Sequence, residues 1–211
     1  MRAWIIAAFL MPAAIAAQQD SPPTVPTNLS RADEIQDARS AAPADVSKDA
    51  KVWVLENGHY VVAVEGTSGM ACEISRDRPN SFVPICGDAE AEATVLAISR
   101  FQTEQRLAGK SLAEIKSEVD RGLTSGQFRL PRRPALTYMT SWAQVITDTS
   151  GEHPTRFLPH VMVFYPHMRA TAMGLVDSNS MDIPLLDEDG APMSRLVIVV
   201  RDWTQPAQPA Q

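Results

Sequence analysis

The stretch VWVLENGHYVVAVE, residues 52–65, decides the first part of the fold. It contains two apolar, β-branched runs, Val52–Leu55 and Tyr60–Glu65, on either side of Asn57-Gly58. Asn-Gly between apolar runs favours a two-residue hairpin turn, because both central positions of that turn need a positive φ. The sequence therefore predicts an antiparallel hairpin at the start of a folded domain.

Two helices are predicted downstream of this hairpin. Asp88 can cap the first helix, whose apolar residues recur at helical spacing, and Gly109 ends it. Ser111 and Glu114 form a capping box, in which each side chain satisfies a free backbone N–H at the start of the second helix. The apolar stripe of the second helix continues to Leu123.

The remaining predicted elements are strands. Ala71–Ser75 follows the hairpin, and three further patterns, Ala135–Ile146, His160–Tyr165 and Arg195–Val200, follow the helices. The order ββ(β)ααβββ predicts an α+β domain. In that domain a single antiparallel sheet carries two helices packed on one face.

The amino-acid composition predicts how the rest of the chain is divided into segments. Residues 1–17 combine a basic start, a short apolar run and small residues, which is typical of a signal peptide. Residues 18–49 are rich in Pro, Ala and Ser and predict a disordered lead-in, with room for one short helix at Arg31–Arg39. The folded domain is expected at 50–203 and a disordered tail at 204–211.

The predicted signal peptide indicates that the mature protein is periplasmic or secreted. After cleavage, no apolar segment approaches the roughly 20 residues that a membrane span requires. The 211 residues carry a formal net charge of -6, which argues against a nucleic-acid partner because phosphate binding depends on Lys and Arg. The basic cluster Arg129, Arg132 and Arg133 is interpreted as a solvated loop.

The chain has two cysteines, Cys72 and Cys86. In an oxidising compartment a lone pair of thiols at this spacing normally forms a disulfide. We therefore predict a Cys72–Cys86 bridge that fastens the end of the opening strands to the start of the first long helix.

Four short segments carry a resemblance to known sequences. They are EGTSGMAC at 65–72, PICGD at 84–88, RPALTYMTS at 133–141 and PHVMVFY at 159–165. Together they resemble a group of uncharacterised secreted bacterial proteins. The resemblance implies a single exported domain, and it implies no activity and no catalytic residue.

His160 and Met162 are the candidate metal ligands of the chain. Side chains two residues apart on a strand share one face, and imidazole with thioether ligands suits Cu(I). The upstream His and Met that complete such sites in copper carriers are not reproduced. In the alternative interpretation, Met162 fills the core and His160 makes one hydrogen bond at the start of its strand.

A small hydrolase centred on His160 is the alternative from a different functional class. It would recruit Ser68 or Ser141 as nucleophile and Asp88 as acid. The segment around Ser68 lacks the second glycine that a nucleophile elbow requires, and no catalytic residue is assigned.

The sequence favours a non-catalytic exported domain without a cofactor, with an unknown small ligand or an envelope protein as its partner. Tyr138, Met139 and Trp142 lie in one predicted strand and are candidates for the lining of a ligand pocket. Side chains of this kind are more often simply part of a core.

Overall fold

A computed structural model of the protein describes residues 23–27, 29–175 and 182–205. The predicted signal peptide at 1–17 lies outside the described residues, as does the tail from residue 206 onward. Within the described residues, one eight-stranded sheet lies between helices on both of its faces.

The strands of this sheet are β1 (Lys51–Glu56), β2 (His59–Val64), β3 (Ala71–Ser75), β4 (Val83–Gly87), β5 (Ala135–Met139), β6 (His160–Phe164), β7 (Leu185–Asp187) and β8 (Arg195–Val199). Their order across the sheet is β2-β1-β3-β4-β5-β6-β8-β7.

The helices are α1 (Arg31–Arg39), α2 (Ala44–Ser47), α3 (Ala89–Ala91), α4 (Ala97–Leu107), α5 (Leu112–Ser125) and α6 (Ala170–Met173). A π-helical turn, Glu92–Leu96, joins α3 to α4 and makes them one continuous helical segment.

Local sequence signals are confirmed where they were strongest. The β1–β2 hairpin turns at Asn57 and Gly58, whose φ angles are 51° and 84°. The side chain of Ser111 accepts a hydrogen bond from the backbone N–H of Glu114, and the Glu114 carboxylate accepts one from the backbone N–H of Ser111. These signals act within a few residues, so the sequence alone contains them.

The prediction of a single antiparallel sheet is wrong, because β1 and β3 are parallel. The hairpin brings the end of β2 beside the start of β1, and Val52 is paired with Val64. The chain then crosses to the other side of β1 and begins β3 there, so that Lys51 pairs with Ala71. The outcome is a mixed sheet.

The predicted strand order also needs correction. Val83–Gly87 and Leu185–Asp187 are strands that the sequence patterns did not indicate. The predicted strand Ala135–Ile146 ends at Met139, because the backbone N–H groups that follow donate to partners outside the neighbouring strands. The N–H of Thr140 donates to Ala41 O at 3.0 Å, and that of Trp142 donates to Thr204 O at 2.9 Å.

Helices cover both faces of the sheet rather than the one face predicted. Helix α1 packs against β1, β3 and β4, whereas α4 packs on the opposite face against β2 and β3 with α5 beside it. The segment 18–49 was predicted to be a disordered lead-in with room for a short helix at Arg31–Arg39; that helix is present as α1, and it packs on the sheet. Ser30 caps α1 in a capping box with Asp33, and Ala38 near its end is fully buried.

Each face of the sheet has its own hydrophobic core. The α1-side core contains the alanines that end and follow α1, together with Val52, Ile74 and Phe82. The α4-side core contains Leu96 of the helical segment and residues of β4, β5, β6 and β8.

The predicted disulfide between Cys72 and Cys86 is confirmed. The two residues lie directly opposite each other on β3 and β4, and both are fully buried in the α1-side core. The bridge therefore joins two neighbouring strands at the centre of the sheet, just before Asp88 caps α3.

In the described part of the chain, no helix combines the length and the apolar character needed to cross a membrane.

Candidate functional site

A groove of about 1190 Å³ lies on the α4-side face of the sheet. The groove exists because α4 packs on β2 and β3. In the described residues, no long helix is packed along the other half of the sheet, which is formed by β5, β6, β8 and β7. Val95 and Ile98 line one wall of the groove, and Val119 and Leu123 of α5 line the same side farther out. The volume is slightly above the roughly 300–1,000 Å³ of typical small-molecule sites.

The floor of the groove is a row of apolar side chains from neighbouring strands. Met162 of β6 pairs with Val197 of β8, and Phe164 follows on the same face. Met162, Phe164 and Val197 retain only 8%, 4% and 7% of their surface exposed. Because so little of each floor side chain is open, the floor offers only a small apolar contact area, which suits a slender apolar chain.

His160 lies on this floor at the start of β6 and is only 4% exposed. Its Nδ1 is 2.7 Å from Leu158 O, and its ring meets Phe157 edge to face with ring centroids 5.0 Å apart. Burial lowers the pKa of His160 below its usual range, against the opposing effect of the hydrogen bond to Leu158 and with a small contribution from Arg195.

The tautomer of His160 follows from these contacts. A carbonyl oxygen only accepts, so Nδ1 of His160 must donate its proton to Leu158 O. In the neutral ring, Nε2 then carries a lone pair. The groove therefore has one imidazole acceptor in an otherwise apolar floor.

Methionine side chains lie on the same face of the sheet as this imidazole. Met162 shares a face with His160, as the sequence predicts, and Met139 of β5 is the direct cross-strand partner of His160. Met139 and Met193 both line the groove. Sequence reasoning paired His160 with Met162 but missed Met139, because the β5–β6 register is a long-range property.

A search of the described residues finds no group of three or more His, Cys, Asp or Glu side chains that could hold a metal ion. A metal at His160 would therefore depend on thioether ligands, and these favour Cu(I) over harder cations.

The residues of the hydrolase hypothesis are not brought together. Ser141 is fully buried, and its Oγ lies 2.5 Å from the Oγ of Ser40, which directly follows α1. Ser68 lies in the β2–β3 connection, where its Oγ accepts from Met70 N, and Asp88 is occupied as the cap of α3. Neither serine is therefore placed for His160 to activate it.

Of the three residues predicted to line a pocket, only Met139 does so. Tyr138 packs against the α1-side core. Trp142 meets Trp203 edge to face, and the guanidinium of Arg156 lies 4.3 Å from the centroid of the Trp142 ring. Adjacent residues on a strand point to opposite faces, which separates Tyr138 from Met139.

A buried ion pair joins β3 to α4 next to the groove. Glu73 of β3 is fully buried and accepts a hydrogen bond from Arg100 of α4 at 2.5 Å. Burial raises the pKa of Glu73 to about 7, although the positive charge of Arg100 opposes this. The Glu73–Arg100 pair fixes α4 on the sheet and thereby sets one wall of the groove.

No family model, curated protein or solved structure matches this chain.

Proposed function

We propose that this protein is an exported, non-catalytic binding protein that holds a slender apolar small molecule in the groove. The observation that carries the proposal is the small apolar contact area of Met162, Phe164 and Val197, on a half of the sheet where no long helix of the described residues is packed. Export is supported by the signal-like residues 1–17 and by the Cys72–Cys86 disulfide, which fits an oxidising compartment.

The arrangement favours binding over catalysis. The imidazole of His160 hydrogen-bonds to a backbone carbonyl, and neither Ser68 nor Ser141 stands next to it. In the neutral form, its Nε2 is a hydrogen-bond acceptor, to which a neutral head group such as a hydroxyl can donate.

The test is a calorimetric titration of the full chain with decan-1-ol, a neutral and slender apolar probe. We expect saturable 1:1 binding. Leu123→Trp places a larger side chain on the groove wall, so it should weaken binding about tenfold or more, a loss of about 1.4 kcal/mol in binding free energy.

The matched control is Leu107→Trp, since Leu107 ends α4, is 42% exposed and lies outside the groove lining. This variant should bind decan-1-ol like the parent protein. Absence of saturable binding by the parent, or equal binding by the Leu123 variant, would show that the groove is not a ligand site.

A second candidate function is Cu(I) binding through His160 and Met162, as the sequence predicts. The specific observation in its favour is the position of Met139, the direct cross-strand partner of His160, which adds a second methionine to the same face. Soft thioether ligands with one imidazole match the preference of Cu(I).

A further inference from the structure

The two ends of the groove differ in how their cations are neutralised. At the end formed by β7, β8 and α5, each cation that lines the groove has an acidic partner that also lines it. Arg195 pairs with Asp187 and with Glu188, and Lys116 pairs with Asp120 at 2.7 Å. This end therefore offers no unbalanced positive charge to a ligand.

At the opposite end, Arg78 and Arg156 line the groove, and no described carboxylate lies within ion-pair distance of either. Nη1 of Arg78 donates to Thr147 O at 3.1 Å, and Nε of Arg156 donates to Trp142 O at 2.8 Å. A guanidinium has five N–H donors, so most donors of both groups remain available.

The local backbone brings the two arginines to the same end. Ile146 forms an isolated antiparallel bridge with Thr155, the residue before Arg156. The carbonyl that receives Arg78 belongs to Thr147, the residue after Ile146. Both arginines are thus hydrogen-bonded to one pair of adjoining backbone segments, and Phe157, which follows Arg156, contacts the ring of His160.

Asp77 is the carboxyl group that lines this end. Burial raises the pKa of Asp77 above its usual range, while the charges of Arg78 and Arg106 act in the opposite direction. Even when Asp77 is fully ionised, its single negative charge balances only one of the two positive charges of Arg78 and Arg156. The apolar floor therefore adjoins an end of the groove that carries an excess of positive charge.

We infer that the ligand is an amphipathic carboxylate, whose slender apolar chain lies over Met162, Phe164 and Val197 and whose head group is held by Arg78 and Arg156. This inference rests on the proposed function, because it assigns a chemical class to the ligand of the same groove. A carboxylate fits because the planar fork of arginine matches two carboxylate oxygens, and charge-assisted hydrogen bonds of this kind are stronger than neutral ones.

The test compares decanoate with decan-1-ol on the full chain by calorimetry, below the concentration at which decanoate forms micelles. The two probes share the same ten-carbon chain and differ in the head group. We expect decanoate to bind about tenfold more tightly than the alcohol, and decyltrimethylammonium to bind more weakly than either.

Two variants locate the head group. Arg78→Gln should remove most of the advantage of decanoate over decan-1-ol and leave the affinity for the alcohol unchanged. Arg156→Lys keeps the positive charge but removes the planar guanidinium. It should therefore reduce the preference for decanoate over decan-1-ol even though the cation is retained. The matched control is Arg201→Gln, at an exposed arginine that does not line the groove.

The outcomes separate the two proposals. If neither decan-1-ol nor decanoate binds, the groove itself is not a ligand site. If both bind with equal affinity, or if Arg78→Gln changes neither, the groove binds apolar chains and the carboxylate inference is wrong. Dodecyl phosphate binding much more tightly than dodecanoate would likewise overturn the choice of a carboxylate.

Discussion

At the scale of single residues, His160 determines most of the chemistry that the groove offers. Its Nδ1 proton is engaged by Leu158 O, and burial keeps the ring neutral because its pKa lies below the usual range. The remaining Nε2 lone pair is available at neutral pH to a hydrogen-bond donor or to a soft metal ion.

The copper candidate is tested at this residue. In a Cu(I) competition titration against a chelator, the parent protein should bind one equivalent. His160→Ala should abolish that binding, because it removes the one nitrogen ligand. Met162→Leu should weaken it about tenfold at little cost in folding stability, since Met-to-Leu exchanges usually cost less than about 1.5 kcal/mol.

Met173→Leu serves as the control for the copper titration, because Met173 is 42% exposed and lies outside the groove lining. It should bind Cu(I) like the parent protein. Retention of full Cu(I) affinity by His160→Ala would exclude His160 as a ligand and leave the groove to apolar molecules alone.

Single residues show what sequence reasoning can and cannot supply. That His160 and Met162 share a face follows from strand geometry, so the sequence was sufficient for it. The basic cluster at 129–133 was interpreted as solvated, and its three arginines are exposed. Glu90 of α3 nevertheless binds Arg129 at 2.8 Å and accepts the backbone N–H of Arg132 at 2.9 Å. Glu90 is about 40 residues away in the chain, and no local pattern indicates that pairing.

At the scale of elements, the β2–β3 connection decides the topology. The strand pattern on either side of it is compatible with continued antiparallel pairing, and only the crossover makes β3 parallel to β1. The crossover requires close backbone contact: a Cβ built on Gly66 would lie 2.0 Å from the backbone N of Lys51.

Two glycines of this connection make a matched pair for mutation. Gly66→Ala should destabilise the protein strongly, by about 3 kcal/mol or more, because the clash is with backbone that cannot move aside. Gly69→Ala should cost about 1–2 kcal/mol, since Gly69 has a φ of 76° and open space around it. Urea unfolding followed by circular dichroism measures both values.

Equal costs at the two glycines would contradict this account of the crossover. It would mean that backbone conformation alone, and not the approach of the chain to Lys51, limits the connection.

Some elements could be predicted from the sequence and others could not. Caps and turns were identified correctly because their signals are contained within four or five residues, as at Ser111 and at Asn57-Gly58. Strand β4 was missed because its central position, buried on both faces, removes the alternation of apolar and polar residues and because it contains Pro84. The placement of α1 opposite α4 was missed because α1 is short and rich in charged residues.

At the scale of the whole molecule, the disulfide joins two neighbouring strands near the centre of the sheet. Strand β3 belongs to the half with the hairpin and β4 leads to the half with the groove, and Cys72 and Cys86 pair across them. Both sulfur-bearing residues are fully buried, so reductant reaches the bridge only when the core opens.

Removal of the bridge should lower global stability. Cys72→Ala with Cys86→Ala should reduce the free energy of unfolding by about 3 kcal/mol, because a closed loop of this size restricts the unfolded chain by about that amount. Urea denaturation of parent and double variant gives the difference, and the parent treated with reductant in urea should match the variant.

An unchanged midpoint in the double variant would show that packing around the two sites outweighs the constraint on the unfolded chain. The groove itself should keep its affinity for decan-1-ol in the folded variant, since the bridge lies in the α1-side core.

The contacts of α1 with residues 140 and 141 also have a consequence for the order of events during synthesis. Ala41 O accepts from Thr140, and Ser40 meets Ser141, 101 positions later in the chain. Translation at about 5–20 residues per second separates the appearance of these partners by about 5–20 s. A nine-residue helix is not stable by itself in water, so α1 depends on packing against β1, β3 and β4, which appear before residues 140 and 141. Cys72 and Cys86 lie on β3 and β4, so in an oxidising compartment the bridge can close before Thr140 and Ser141 fix the segment that follows α1.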